Sequence, residues 1–252
     1  DAAAILMAHG LARRGLVDFI AITAVAGNVG LHHTSKNARI ICDWAGESAF
    51  PVYAGATKPL VRELVTAEEV HGKTGLDGVA LHEPRTPLQP AHAVAFLIDT
   101  LRHAEPGSIT LCPIGPLTNI AQALALAPDC ARGIARIVLM GGAYFEAGNI
   151  TPAAEFNFYV DPHAAAMVLN SGVPITVLPL DVTHKACITT PRMNALRQTG
   201  TENGARLADI LHSYERYDTQ KFGLEGGPLH DPCAIACAVF PHLFGGKDCY
   251  VA

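Results

Sequence analysis

Charge is scarce in this 252-residue chain. Asp, Glu, Lys and Arg supply 16% of the residues and leave a net charge of −5, against a typical charged share of about a quarter. The basic residues form no cluster, so the electrostatic footprint that grips a phosphate backbone is missing and nucleic acid is not an expected partner. Long apolar runs are lacking too. The most apolar stretches, 134–143 and 173–180, fall well short of the roughly 20 residues that cross a bilayer, so no membrane span is expected. The seven cysteines are scattered and odd in number. Cys42, Cys112, Cys187, Cys233 and Cys237 sit in apolar sequence with no Cys/His partners at zinc-finger spacing, which reads as reduced core residues rather than a disulfide or metal scaffold. The first residues show no basic stretch followed by a cleavage site, so a cytoplasmic location is expected.

Familiar chemical motifs are absent as well. There is no Gly-x-Ser-x-Gly elbow, no phosphate-binding Gly-x-x-x-x-Gly-Lys-Ser/Thr loop, no His-Glu-x-x-His, and no Gly-x-Gly-x-x-Gly after a strand. Serine hydrolysis, nucleotide hydrolysis and hydride transfer lose their usual support.

What is present is core material. Half the residues are hydrophobic, which excludes general disorder, and the length suits one large α/β domain spanning 1–252. Segments 19–25, 109–114, 134–140 and 174–180 are short, nearly continuous apolar runs of the kind a parallel sheet buried on both faces requires. Helical patterns fall between and after them, at 2–13, 35–45, 91–103, 117–126, 163–170, 201–217 and 232–240. Alternation of strand and helix predicts an open, mostly parallel sheet flanked by helices. Segments 72–90 and 221–228 are predicted as long loops.

Strand ends carry the functional signal. The runs finish in Gly27-Asn28, Ile114-Gly115-Pro116, Met140-Gly141-Gly142 and Asp181-Val182-Thr183-His184, and open parallel sheets bind ligands at the carboxyl ends of their strands. Three constellations stand out. Glu155-Phe156-Asn157, with Asn149 before it and Asp161-Pro162 after it, sets a carboxylate and amides on an irregular segment. Such groups can grip vicinal hydroxyls, since each sugar OH both donates and accepts; bracing of the loop is the alternative. Asp161 is expected to cap a helix with Pro162 in its first turn. In His230-Asp231-Pro232 the histidine has an ordinary pKa close to neutrality and can serve a leaving group, while Asp231 is open to reading as a helix cap. The third constellation is His71-Gly72 with Gly75-Leu76 in a long loop. His32-His33 is assigned no role.

Together these segments resemble the inosine-uridine preferring nucleoside hydrolases. The resemblance rests on Ala24-Val25-Ala26-Gly27-Asn28, His71-Gly72 with Gly75-Leu76, Gly115-Pro116-Leu117-Thr118-Asn119-Ile120-Ala121, Val138-Leu139-Met140-Gly141-Gly142, Glu155-Phe156-Asn157 with Asp161-Pro162, and His230-Asp231-Pro232. They occur in the family's order along the whole chain. The resemblance implies an open α/β fold holding Ca²⁺ at the floor of a pocket. Asp1, the backbone oxygen of Ile114 and Asp231 would bind the ion, a hard cation suited to oxygen ligands. Asn28, Asn149, Glu155 and Asn157 would hold the ribose, Met140 and Phe156 would line the pocket, His71 would sit near the base, and His230 would donate a proton to the leaving base. Tyr217 or Gln220 would reach the base. The implied reaction is hydrolysis of the N-glycosidic bond of ribonucleosides through an oxocarbenium-like transition state, in a homodimer or homotetramer. The same resemblance implies truncation at both ends, with the general-base aspartate upstream of Asp1. A calcium-dependent ribose- or nucleoside-binding protein without catalysis is the alternative.

Overall fold

The computed structural model describes residues 1–46, 50–223 and 225–251, with side chains omitted for 214–222. Its strands are β1 (Ile22–Ala24), β2 (Val52–Ala54), β3 (Leu88–Gln89), β4 (Ile109–Leu111), β5 (Ile134–Met140), β6 (Ile175–Leu178), β7 (Cys187–Ile188) and β8 (Gly227–Pro228). Its helices are α1 (Ala2–Arg13), α2 (Leu31–Ala45), α3 (Glu68–His71), α4 (Ala93–His103), α5 (Thr118–Leu126), α6 (Phe156–Val160), α7 (Pro162–Leu169), α8 (Leu180–Thr183), α9 (Thr190–Gln198), α10 (Glu202–Phe222) and α11 (His230–Val239). Two three-stranded sheets are ordered β1-β2-β3 and β4-β5-β6. Every pairing within them is parallel, as expected, and β7 pairs antiparallel with β8.

The continuous apolar run of β5 has a direct cause. Ile137 and Leu139 pack with Leu117, Ile120, Ala164 and Val168 of the α5 and α7 side. Val138 and Met140 face the other way, against Leu178, Leu180, Cys233, Ala234 and Cys237. A strand covered on both faces has no solvent side on which to place polar residues. The β1-β2-β3 sheet is covered more thinly: Ile40, Ile41 and Trp44 of α2 pack with Val52 and with Ala2 and Ile5 of α1.

The expected elements are present with shifted bounds. The parallel strands divide into two sheets rather than one, and β1 and β6 are shorter than the apolar runs that announced them. β2 and β3 carry too few residues for a periodic signal. Helix α2 starts at Leu31, which puts His32 and His33 in its first turn. Helix α10 extends through Phe222, into what the sequence reads as a loop. All cysteines are free, and Cys42, Cys233 and Cys237 are buried as expected, while Cys112 and Cys187 are partly exposed. Burial pushes the thiols of Cys42, Cys112 and Cys233 up to about 11. Among the described residues no helix is long and apolar enough to cross a membrane.

Candidate active site

A cavity of about 760 Å³ opens where β1, β4 and β5 end and α11 begins. Its lining brings together residues drawn from the whole length of the chain. Asp1, Ile114, His230 and Asp231 line it, as do Asn28, His71, Met140, Asn149, Glu155, Phe156 and Asn157. No expected site residue with a described side chain lies elsewhere. Away from this polar end the cavity runs between segments 17–25 and 108–116, which belong to the edges of the two parallel sheets.

Glu155 and Asn157 are held by the loop between β5 and α6. Glu155 is the N-cap of α6: Oε1 accepts from the amide of Asn157 at 2.9 Å, and Oε2 from those of Phe158 at 3.1 Å and Gly142 at 2.9 Å. The bracing of the loop that the sequence left as the alternative is thus present at Glu155, in the form of a helix cap that the sequence assigned only to Asp161. A five-residue helix is invisible to a 3.6-residue periodicity, so its cap was invisible too. Glu155 is buried, and desolvation pushes its carboxyl up to about 7; the three amides pull it down, and the charge of Asp231 adds to the rise. Asn157 Nδ2 lies 3.3 Å from the carbonyl oxygens of both Ile114 and Met140, joining the ends of β4 and β5. Asn149 Oδ1 accepts from the amide of Phe156 at 2.8 Å. Asp161 caps α7 as expected, accepting from Ala164 at 3.0 Å, and also receives the amide of Leu60 at 2.9 Å and the Thr118 hydroxyl at 2.7 Å.

Helix α11 begins two residues earlier than its apolar pattern indicates. Leu229 is its N-cap and Asp231 lies in the first turn, so the cap reading of Asp231 does not hold. Instead its carboxylate lies against the backbone nitrogen of Asp1. His230 Nδ1 sits 2.7 Å from Thr183 Oγ1. Burial lowers His230 to about 4, with the charge of Asp231 opposing. The near-neutral value assumed from residue type is therefore corrected: in the protein alone this imidazole is neutral at pH 7. His71, at the end of α3, is lowered to about 4, chiefly by burial and against the pull of Asp231.

The carboxylates of Asp1 and Asp231 and the Ile114 carbonyl are all-oxygen donors, the type a hard divalent cation takes, but fewer than the roughly six to eight oxygens of a Ca²⁺ shell. Among the described residues no group of three or more His, Cys, Asp and Glu forms a metal cluster. The donor type fits such a cation. Tyr217 and Gln220 have side chains outside the described residues.

Sequence reasoning gave no role to Asn119. This buried side chain receives the amide of Ala56 at 2.8 Å and donates to the carbonyl of Ala24 at 3.0 Å, so it ties down the end of β1 just before Asn28. Thr183 was equally unmarked beyond its place in a strand-end turn. An amide or hydroxyl facing inward leaves no trace in composition.

The whole chain, residues 1–252, matches the family model described as inosine-uridine preferring nucleoside hydrolase. A pyrimidine-specific ribonucleoside hydrolase, RihA, of Photobacterium profundum is 47% identical over 93% of this chain and 76% of its own. The inosine-uridine preferring nucleoside hydrolase of Leishmania major is 41% identical over 96% of this chain and 76% of its own. Among solved structures, a plant nucleoside hydrolase, PpNRh1, superposes with a TM-score of 0.91 at 32% identity, covering 97% of this chain and 76% of that one. A purine-preferring ribonucleoside hydrolase from Gardnerella vaginalis gives 0.88 at 33% identity, over 96% and 78%.

Proposed function

The chain belongs to the inosine-uridine preferring nucleoside hydrolases, and from that premise we propose that its cavity holds a ribonucleoside by the ribose, with the roles of individual residues as follows. The reaction is hydrolysis of the N-glycosidic bond, giving ribose and free base. Asn28, Asn149, Glu155 and Asn157 take the sugar hydroxyls. Glu155 accepts from a hydroxyl with lone pairs its amide partners leave over, and Asn157 is fixed by two carbonyls so that its amide does not have to reorganise as charge develops on the sugar. Met140 and Phe156 wall the pocket, and the base packs against them and near His71.

Family members work with a metal ion, and Asp1, Asp231 and the Ile114 carbonyl are the residues that would hold it here, with Ca²⁺ the ion their oxygens suit. When bound, such an ion lowers the pKa of a coordinated water and orients ribose hydroxyls. His230 serves the leaving base: the neutral ring directs an N–H hydrogen bond at the atom on which negative charge accumulates as the bond to C1′ lengthens. A cytoplasmic homodimer or homotetramer completes the reading.

The observation that carries this proposal is the convergence of Asp1, Ile114, Glu155, Asn157, His230 and Asp231 on one cavity. The test is replacement of His230 by Ala, with turnover of uridine or inosine compared with that of p-nitrophenyl riboside, whose leaving group needs no proton. A loss of about 10²- to 10⁴-fold on the nucleosides alone is expected; equal loss on both overturns the leaving-group role.

A further inference from the structure

The turn Asp181-Val182-Thr183-His184 follows β6 and has no part in the chemistry described so far, yet it touches the site at two places. The Asp181 carboxylate receives the amides of Tyr144 at 2.8 Å, Phe145 at 2.7 Å and Glu146 at 3.2 Å, on the loop that runs toward Asn149. Thr183, fully buried at the end of α8, places Oγ1 2.7 Å from Nδ1 of His230, across 47 residues of sequence. The His184 ring lies 5.9 Å from that of His230, centroid to centroid.

The direction of the Thr183–His230 bond follows from counting protons. A hydroxyl has one proton and two lone pairs, and a neutral imidazole has one N–H and one bare nitrogen. If Nδ1–H donated to Oγ1, the Thr183 proton would be buried with no acceptor, because the hydroxyl makes no other bond among the described residues. If Oγ1–H donates to Nδ1, the hydroxyl proton and the Nδ1 lone pair satisfy each other and the ring proton is left on Nε2. A buried hydroxyl favours the arrangement that leaves no donor stranded.

We infer that Thr183 is a positioning residue that donates to Nδ1 of His230 and so keeps the ring proton on Nε2, the nitrogen available to the cavity. The inference rests on the leaving-group role proposed for His230 and specifies the tautomer that role requires. With the proton on Nδ1 instead, Nε2 would turn a lone pair toward a base gaining negative charge. The same side chain would then oppose departure.

Two measurements test it. In the unaltered protein with ¹⁵N-labelled histidine, the His230 ring signals are expected to show a protonated Nε2 and a bare Nδ1 at neutral pH; the opposite pattern overturns the inference without any variant. In Thr183→Val, which keeps the shape and removes the donor, turnover of uridine is expected to fall about 10- to 100-fold. Turnover of p-nitrophenyl riboside is expected to be unchanged, and Thr183→Ser should restore uridine turnover. Equal losses on both substrates would reduce Thr183 to a structural residue, and no loss on either would remove it from the mechanism. If His230→Ala separates the two substrates and Thr183→Val does not, only this inference fails; if His230→Ala does not separate them, the leaving-group reading fails first.

Discussion

Asn157 reaches back 43 positions to place its amide nitrogen 3.3 Å from the carbonyl of Ile114. The same nitrogen is 3.3 Å from the carbonyl of Met140. One side chain thus joins the carboxyl ends of adjacent strands β4 and β5 at the point where the cavity is most polar. Replacement by Ala removes a fixed donor while leaving both carbonyls access to water. The expected result is a drop in kcat/KM of about 10²- to 10³-fold, with the far-UV circular dichroism spectrum unchanged.

Asp161 is a structural carboxylate of the same region. It is fully buried and receives the Leu60 and Ala164 amides and the Thr118 hydroxyl. Asp161→Ala strands all three donors, and each buried unsatisfied group costs about 1–3 kcal/mol. Chemical denaturation is expected to show a loss of at least about 3 kcal/mol, beyond any effect on turnover.

Gly55 marks a close approach. A Cβ there would lie 2.2 Å from Oδ1 of Asn119, the side chain that holds the ends of β1 and β2 together. Gly55→Ala is expected to destabilise by about 1–3 kcal/mol and to weaken substrate binding through displacement of the neighbouring Asn28 segment. Thermal unfolding and KM together check it; an unchanged melting temperature would mean that Asn119 can move aside freely.

The buried side chain of Asp43 controls acid stability at the far edge of α2. Burial alone would raise its pKa, but the Thr86 hydroxyl, the Arg85 amide, His82 and the Thr86 amide outweigh burial and hold it well below the usual carboxylate range. A carboxyl depressed in the folded state binds fewer protons than in the unfolded chain. Its stabilisation is therefore full above the unfolded value of about 4 and is lost as pH falls below that. Urea unfolding of wild type and Asp43→Asn at pH 7 and pH 3.5 is expected to show a difference that shrinks at the lower pH.

How much of this was legible beforehand depends on which physical signal each residue leaves. The parallel architecture followed from β5, whose unbroken apolar run has one explanation once helices cover both faces. The capping role of Asp161 followed from the adjacent proline. Pocket membership of Glu155, Asn157, His230 and Asp231 followed from their position at strand and helix ends together with the family resemblance. The capping bonds of Glu155 were not legible, because α6 is too short to have a period. The early start of α11 was hidden because His230 and Asp231 are polar residues within an otherwise apolar helix. The lowered pKa of His230 depends on burial by residues far away in sequence, and residue type alone does not carry it.

The central claim is that the pentose of a ribonucleoside lies at the polar end of this cavity, between the α6 cap and the start of α11. A crystal structure of the protein with Ca²⁺ and a non-hydrolysable ribonucleoside analogue measures this directly. The account expects the sugar hydroxyls within hydrogen-bonding distance of Glu155 and Asn157, with Asp231 facing the same hydroxyls and His230 beside the base. A sugar bound elsewhere, or bound with its hydroxyls turned away from Glu155 and Asp231, would contradict it.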